Sequence, residues 1–192
     1  MSRIIAGSRG GRRLATPPGD RTRPTTDRVR EALFSAIASW AGTAAGGPEA
    51  ALAGLRFCDL YAGSGAVGLE AASRGAQPVL LVEADRRTSL VTRRNATELG
   101  LTAEVRALRV EQLVGQPTGT AYDVVFADPP YELATEAIDT LLADLVQNGW
   151  LGPRGLVVVE RSRRTAGLSW PPAYSEHWER AYGETMLWFG AR

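Results

Sequence analysis

A chain of 192 residues that is 44% hydrophobic can bury one sizeable core without disulfides. Its single cysteine and single histidine exclude an internal disulfide and argue against a His/Cys metal site. No apolar run reaches membrane-spanning length and no signal-peptide pattern is present, so a cytoplasmic, metal-free protein off the membrane is expected.

Net charge is only +1, but it is unevenly spread, and every basic group is an arginine. Residues 1–30 hold eight arginines against two acids, Asp20 and Asp27; the remainder holds fourteen against nineteen. A planar guanidinium grips phosphate or stacks on bases. A basic arm ahead of an acidic body therefore suggests a nucleic-acid partner. Arg9, Arg12, Arg13, Arg21 and Arg23 are the candidate phosphate contacts. Arg3-Ile4-Ile5-Ala6 and Arg12-Arg13-Leu14-Ala15 flank a Gly/Ser turn and predict a small hairpin. A Pro-, Gly- and Arg-rich loop follows, so residues 1–24 read as a basic hairpin and loop ahead of a main domain at 25–192.

Thr25 or Thr26 can cap a helix over 25–41, with Asp27 in its first turn. Val29, Leu33, Ile37 and Trp40 recur at helical spacing beside Phe34 and form one apolar face. Residues 42–54, rich in Gly, Ala and Pro, read as a linker to the sheet core at 55–192.

A short apolar strand, Leu55 to Cys58, leads into Asp59-Leu60-Tyr61-Ala62-Gly63-Ser64-Gly65, and a helix of small residues follows near 66–75. Cys58 reads as a buried small hydrophobe. Glycines let the backbone pass close to a ligand and turn tightly into the helix. Gly63, Gly65 and Gly68 also fit the dinucleotide fingerprint, and Glu83, ending the strand at 78–83, lies where a ribose-binding acid is expected. An NAD(P)-dependent oxidoreductase is thus a rival reading. A dinucleotide site presents this loop to a pyrophosphate, which the Asp59 carboxylate would repel. Asp59 suits a cationic amine instead, such as the ammonium of S-adenosylmethionine, or it caps the loop's own amides. Glu83 can accept from two vicinal ribose hydroxyls. Asp85 is expected to cap the next helix, near 86–99.

A strand near 103–108 precedes Arg109 and Glu111. The run Tyr122–Ala127 reads as a buried strand and ends in Asp128-Pro129-Pro130-Tyr131. The prolines fix a rigid extended exit, so a carboxylate, a free carbonyl and an aromatic face stand together. That set suits a planar base with an exocyclic amine. A helix near 133–147 and a strand near 155–160 come next, then a loop from Arg161 to Pro172. Two strands about Gly183-Glu184 form a terminal hairpin. Alternating strands and helices imply an α/β fold with a mostly parallel, doubly wound sheet. An antiparallel hairpin at its end suits a class I, Rossmann-like methyltransferase better than a dehydrogenase.

Taken together, these segments resemble the RsmD family of bacterial 16S rRNA guanine-N2 methyltransferases. Arg3-Ile4-Ile5-Ala6-Gly7 is similar to the family's start, and the stretch Arg23 to Phe34 is the most family-specific. The resemblance implies S-adenosylmethionine held by Asp59, Tyr61, Gly63, Ser64, Gly65, Glu83 and Ala84. It implies catalysis by Asp128, Pro129, Pro130 and Tyr131, on the small-subunit rRNA of an assembled or assembling 30S particle, by a monomer. The chain departs from the family pattern at Arg109, because a guanidinium cannot accept from the adenine amine; a backbone carbonyl or Glu111 must do so. Methylation of DNA adenine or protein glutamine remains the alternative within the same chemistry.

Overall fold

The computed structural model describes residues 2–17 and 26–192. Arg21 and Arg23, two of the five candidate phosphate contacts, lie outside the described residues, as does Thr25. In chain order the elements are α1 (Asp27–Trp40), β1 (Phe57–Leu60), α2 (Ala66–Ser73), β2 (Val79–Val82), α3 (Arg86–Leu99) and β3 (Glu104–Arg106). There follow α4 (Val110–Val114), β4 (Tyr122–Ala127), α5 (Thr135–Gln147), β5 (Leu151–Ser162), β6 (Glu176–Tyr182) and β7 (Thr185–Ala191).

The strands form one sheet in the order β3-β2-β1-β4-β5-β7-β6. The five from β3 to β5 pair in parallel, whereas β7 runs antiparallel to both β5 and β6. The strand order reverses between β1 and β4. In an open α/β sheet, that reversal opens a crevice at the strands' carboxyl ends. Leu60 of β1 stands beside Ala127 of β4, so the two motif loops leave the sheet side by side at this crevice.

Helices cover both faces, so the central strands read as unbroken apolar runs. One face packs Phe57, Val124, Phe126 and Val158 against α1, α2 and α3. The other packs Cys58, Leu60, Val125 and Val159 against α4 and α5. On α1 the residues Leu33, Phe34 and Ile37 are fully buried, each side chain stabilising the fold by about 1.5–3 kcal/mol. Thr26 caps this helix by accepting from the Val29 N–H at 3.3 Å.

Several sequence expectations need adjustment. The hairpin at 3–15 is held by one bridge, Arg3 to Arg13, and it is packed onto the body, with Ile4 and Leu14 in the core. Gly7 lies so close to α2 that a Cβ there would sit 2.1 Å from the Ser73 carbonyl oxygen. The Gly/Ala/Pro stretch 42–54 is no bare linker: Leu52 is fully buried, and Thr43 Oγ1 donates to the Ala51 carbonyl at 2.6 Å. Strand β5 begins four residues before the expected 155 and takes in Arg161 and Ser162, because the antiparallel partner β7 extends the ladder there. Helix α4 was not expected, since five residues carry too little periodicity to register.

Candidate active site

The loop after β1 is built for close approach. Asp59 is buried, and its Oδ2 accepts from the Gly68 N–H at 2.7 Å. A Cβ on Gly68 would stand 2.6 Å from Leu81 Cδ2 and 3.0 Å from Asp59 Oδ2, so glycine lets α2 lie against β1 and β2. Gly65 takes a left-handed conformation, φ 83°, at the start of α2. Tyr61 also has φ 63°, a strain of about 1–3 kcal/mol for a residue with a Cβ. Its hydroxyl donates to Glu111 Oε1 on α4 at 2.9 Å; burial and that carboxylate push the phenol up.

Helix α3 pins the loop from outside. Thr92 Oγ1 donates to the Gly63 carbonyl at 2.6 Å, and Asn95 Nδ2 donates to the Ser64 carbonyl at 2.9 Å. Asn95 also exchanges two hydrogen bonds with the Ala15 backbone, so one buried amide ties arm, loop and helix together. Glu83 Oε2 accepts from the Gly63 N–H at 2.9 Å and Oε1 from the Asp85 N–H at 2.7 Å. A carboxylate offers about four lone-pair sites, so both oxygens retain capacity for ribose hydroxyls. Ala84, between them, is exposed at the same edge. Asp85 caps α3 by accepting from Thr88 N–H at 2.7 Å, as its position in the sequence suggests.

The loop after β4 starts directly beside this one. Asp128 is half-buried, Pro129 is buried, and Pro130 and Tyr131 face outward, Tyr131 with 61% exposure. The turn closes with the Leu133 N–H donating to the Pro130 carbonyl at 3.0 Å. Buried Arg161 supports it from β5, donating to the Leu133 carbonyl at 3.1 Å. Among the described residues no ion pair engages Asp128.

Electrostatics links the loops. Burial, followed by the charges of Glu160 and Asp59, pushes the Asp128 carboxyl well above the usual carboxylate range. Burial also pushes Asp59 up to about 7, against the Gly68 hydrogen bond and with help from Glu83. Asp59 and Asp128 thus lie where burial and neighbouring carboxylates disfavour ionisation, which a cationic ligand would favour. Glu160 was missed in the sequence, although it follows an apolar run, Leu156–Val159, just as Glu83 follows Val79–Val82. Glu111 reaches the site through Tyr61, while Arg109 is exposed at the start of α4. Among the described residues, no group of three or more His, Cys, Asp or Glu could hold a metal, and no helix is long and apolar enough to cross a membrane.

The arm completes the picture. Arg9 is half-buried, its guanidinium bonded to the Leu99 carbonyl at the end of α3, while Arg12 and Arg13 are exposed. Arg30, a buried residue of α1, donates to the Arg3 carbonyl at 2.9 Å and approaches Glu70 at 3.4 Å, anchoring the arm's first strand. Neither contact is visible from residue spacing.

Comparison with known proteins agrees with this architecture. Over residues 2–191 the chain matches the family described as conserved hypothetical protein 95. It is 37% identical over 185 residues to ribosomal RNA small subunit methyltransferase D of Escherichia coli, covering 95% of this chain and 85% of that one. The solved structure of an Escherichia coli methyltransferase superposes with a TM-score of 0.81 at 35% identity, covering 99% of this chain and 97% of the other. The Thermus thermophilus 16S rRNA N2 G1207 methyltransferase, solved with AdoMet and guanosine, shares the fold at a TM-score of 0.65 and 19% identity, covering 91% of this chain and 44% of that one. A sheet that ends in antiparallel β7 and β6 is the fold this chain shares with that enzyme and with a methyltransferase from Synechocystis solved with bound SAH. The chain belongs to the conserved hypothetical protein 95 family, the RsmD family of methyltransferases.

Proposed function

We propose that the protein transfers a methyl group from S-adenosylmethionine to the exocyclic N2 amine of a guanine in small-subunit (16S) rRNA, on an assembled or assembling 30S particle. The observation that carries this reading is the β1–β4 register. It brings the strand end that leads into Asp128 beside the strand end that leads into the glycine loop, at the sheet's reversal point. The name and 37% identity of the Escherichia coli relative support rRNA as substrate, and the guanosine bound by the Thermus enzyme supports a guanine amine.

In this reading Asp59 faces the methionine ammonium, Glu83 accepts from the ribose, and Tyr61, Gly63, Ser64, Gly65 and Ala84 line the cofactor. The target base is flipped out of its stack and lies on Tyr131. The two amine hydrogens go to the Asp128 carboxylate and the Pro129 carbonyl, which favours a pyramidal nitrogen with its lone pair aimed at the methyl carbon. The nitrogen–carbon bond forms as the carbon–sulfur bond breaks, and that electron pair stays on sulfur as a neutral thioether. Positive charge passes to the amine, which then loses a proton. Asp128, with its raised affinity for protons, is suited to receive it. Positioning and preorganised charge supply most of the rate.

Incubation with labelled S-adenosylmethionine and small subunits from a strain lacking the gene tests this reading. Nucleoside analysis should find label in N2-methylguanosine, and Asp128→Ala should abolish it. Label in adenine or in protein would overturn the assignment.

A further inference from the structure

The two helical faces of the sheet carry opposite charge. Helix α5 has Glu136, Asp139 and Asp144 and no basic residue. Helix α3, on the other face, has Arg86, Arg87, Arg93 and Arg94 against Glu98 alone. The arm lies along α3, bonded to it at Asn95 and Leu99, and residues 2–17 of that arm hold four arginines and no acid.

Not all of these arginines are available. Arg93 donates to the Val105 carbonyl at 2.7 Å, Arg94 pairs with Glu98 at 2.6 Å, and Arg9 is spent on Leu99. Arg86 and Arg87 are exposed, and among the described residues neither enters a hydrogen bond or an ion pair through its guanidinium. Asp85, the cap of α3, lies near Arg87, whose charge helps hold its carboxyl below the usual range. Arg86 and Arg87 open α3 just after Glu83, at the same carboxyl edge as the two loops. Leu90 follows one turn later on the same helix face and is 62% exposed; with Tyr131 it makes up the exposed large hydrophobics among the described residues.

We propose that the first turns of α3, through Arg86, Arg87 and Leu90, form a second contact strip for the RNA backbone, on the helix that carries the docked arm and bordering the glycine loop. This inference rests on the rRNA reading above. Two guanidinium groups grip successive phosphates, and Leu90 packs on a ribose or an unstacked base between them. The strip sits on the sheet face toward which Asp59 points, whereas the acidic α5 face repels the same polyanion.

The experiment compares wild type, Arg86→Ala/Arg87→Ala and, as a control on the opposite face, Glu136→Gln/Asp139→Asn. Binding to small subunits and to protein-free 16S rRNA is measured across a salt series. Each lost phosphate contact lowers the log–log salt slope by about 0.7–0.9, so the arginine pair should lower it by roughly 1.4–1.8 and weaken binding about tenfold at low salt. S-adenosylhomocysteine affinity should not change, and the control should keep the wild-type slope. An unchanged slope in the arginine variant overturns the strip, as does a change seen with particles but not with naked rRNA, which would indicate a ribosomal protein as partner. If wild type binds rRNA with the expected slope but labels no guanine, the methylation reading falls while the strip stands. If wild type binds no RNA, both fall.

Discussion

The glycine loop and the Asp128 loop leave adjacent strands at one sheet edge, yet they are held differently. Residues 59–65 are clamped on three sides: Gly68 N–H on Asp59, Glu83 on the Gly63 amide, and Thr92 and Asn95 on the Gly63 and Ser64 carbonyls. The loop at 128–133 is braced from beneath by Arg161 and presents Tyr131 to solvent. In the proposed reading the first is a preformed seat for the cofactor, and the second, with Tyr131 61% exposed, meets the base. Rigid preorganisation suits the cofactor because its shape never varies, and it reduces the ordering cost of binding.

Substitutions should separate the two roles. The largest effect is expected at Asp128. Asp128→Ala should lower kcat by about 10²–10⁴-fold, the range for removing a positioned acid–base or charge-stabilising group, with cofactor affinity little changed. Single-turnover methyl transfer checks this. Asn95→Ala removes three hydrogen bonds of a buried amide, one to the Ser64 carbonyl and two to the Ala15 backbone, each worth about 0.5–1.5 kcal/mol. It should lower Tm and weaken S-adenosylmethionine binding together, as differential scanning fluorimetry and calorimetry would show. Tyr131→Ala should weaken the RNA side alone. Base–aromatic stacking is worth about 1–3 kcal/mol, so KM for the particle should rise roughly 5- to 150-fold without a change in cofactor Kd.

The smallest expected effect is on pH dependence. Asp59 titrates near 7 in the folded protein, above its ordinary value, because burial disfavours its charge. Between about pH 4 and that value the native chain therefore binds more protons than the unfolded one, so this group removes stability as pH rises through the window. Ligand binding has the opposite sign, since an ammonium selects the charged carboxylate. Cofactor affinity should fall by up to about tenfold per pH unit below 7, and again above about 8 as the ligand's α-amino group deprotonates. Asp59→Asn should flatten the acid limb and leave the alkaline one.

Much of this arrangement was legible before any coordinates. Helix α3 begins where Asp85 says it should, because a capping carboxylate is a local signal. The Tyr122–Ala127 strand and its proline exit carry equally local signals. The docking of the arm was not legible. It depends on Gly7 fitting against Ser73, on Arg30 reaching the Arg3 carbonyl and on Asn95 turning inward, all contacts between distant positions. Glu160 escaped notice because its neighbour Asp128 is brought beside it only by the β4–β5 register. The basic stripe of α3 was hidden by nearly neutral overall charge: arginines there are offset by acids of α5 on the opposite face.

Calorimetric titration of S-adenosylhomocysteine into wild type, Asp59→Asn and Asp128→Asn tests the division between the loops most directly. Asp59→Asn should lose at least about tenfold in affinity, the scale of one lost charge-assisted contact. Asp128→Asn should bind within about twofold of wild type, since its group meets the base and not the cofactor. Equal losses in both variants, or full affinity in Asp59→Asn, would contradict that division.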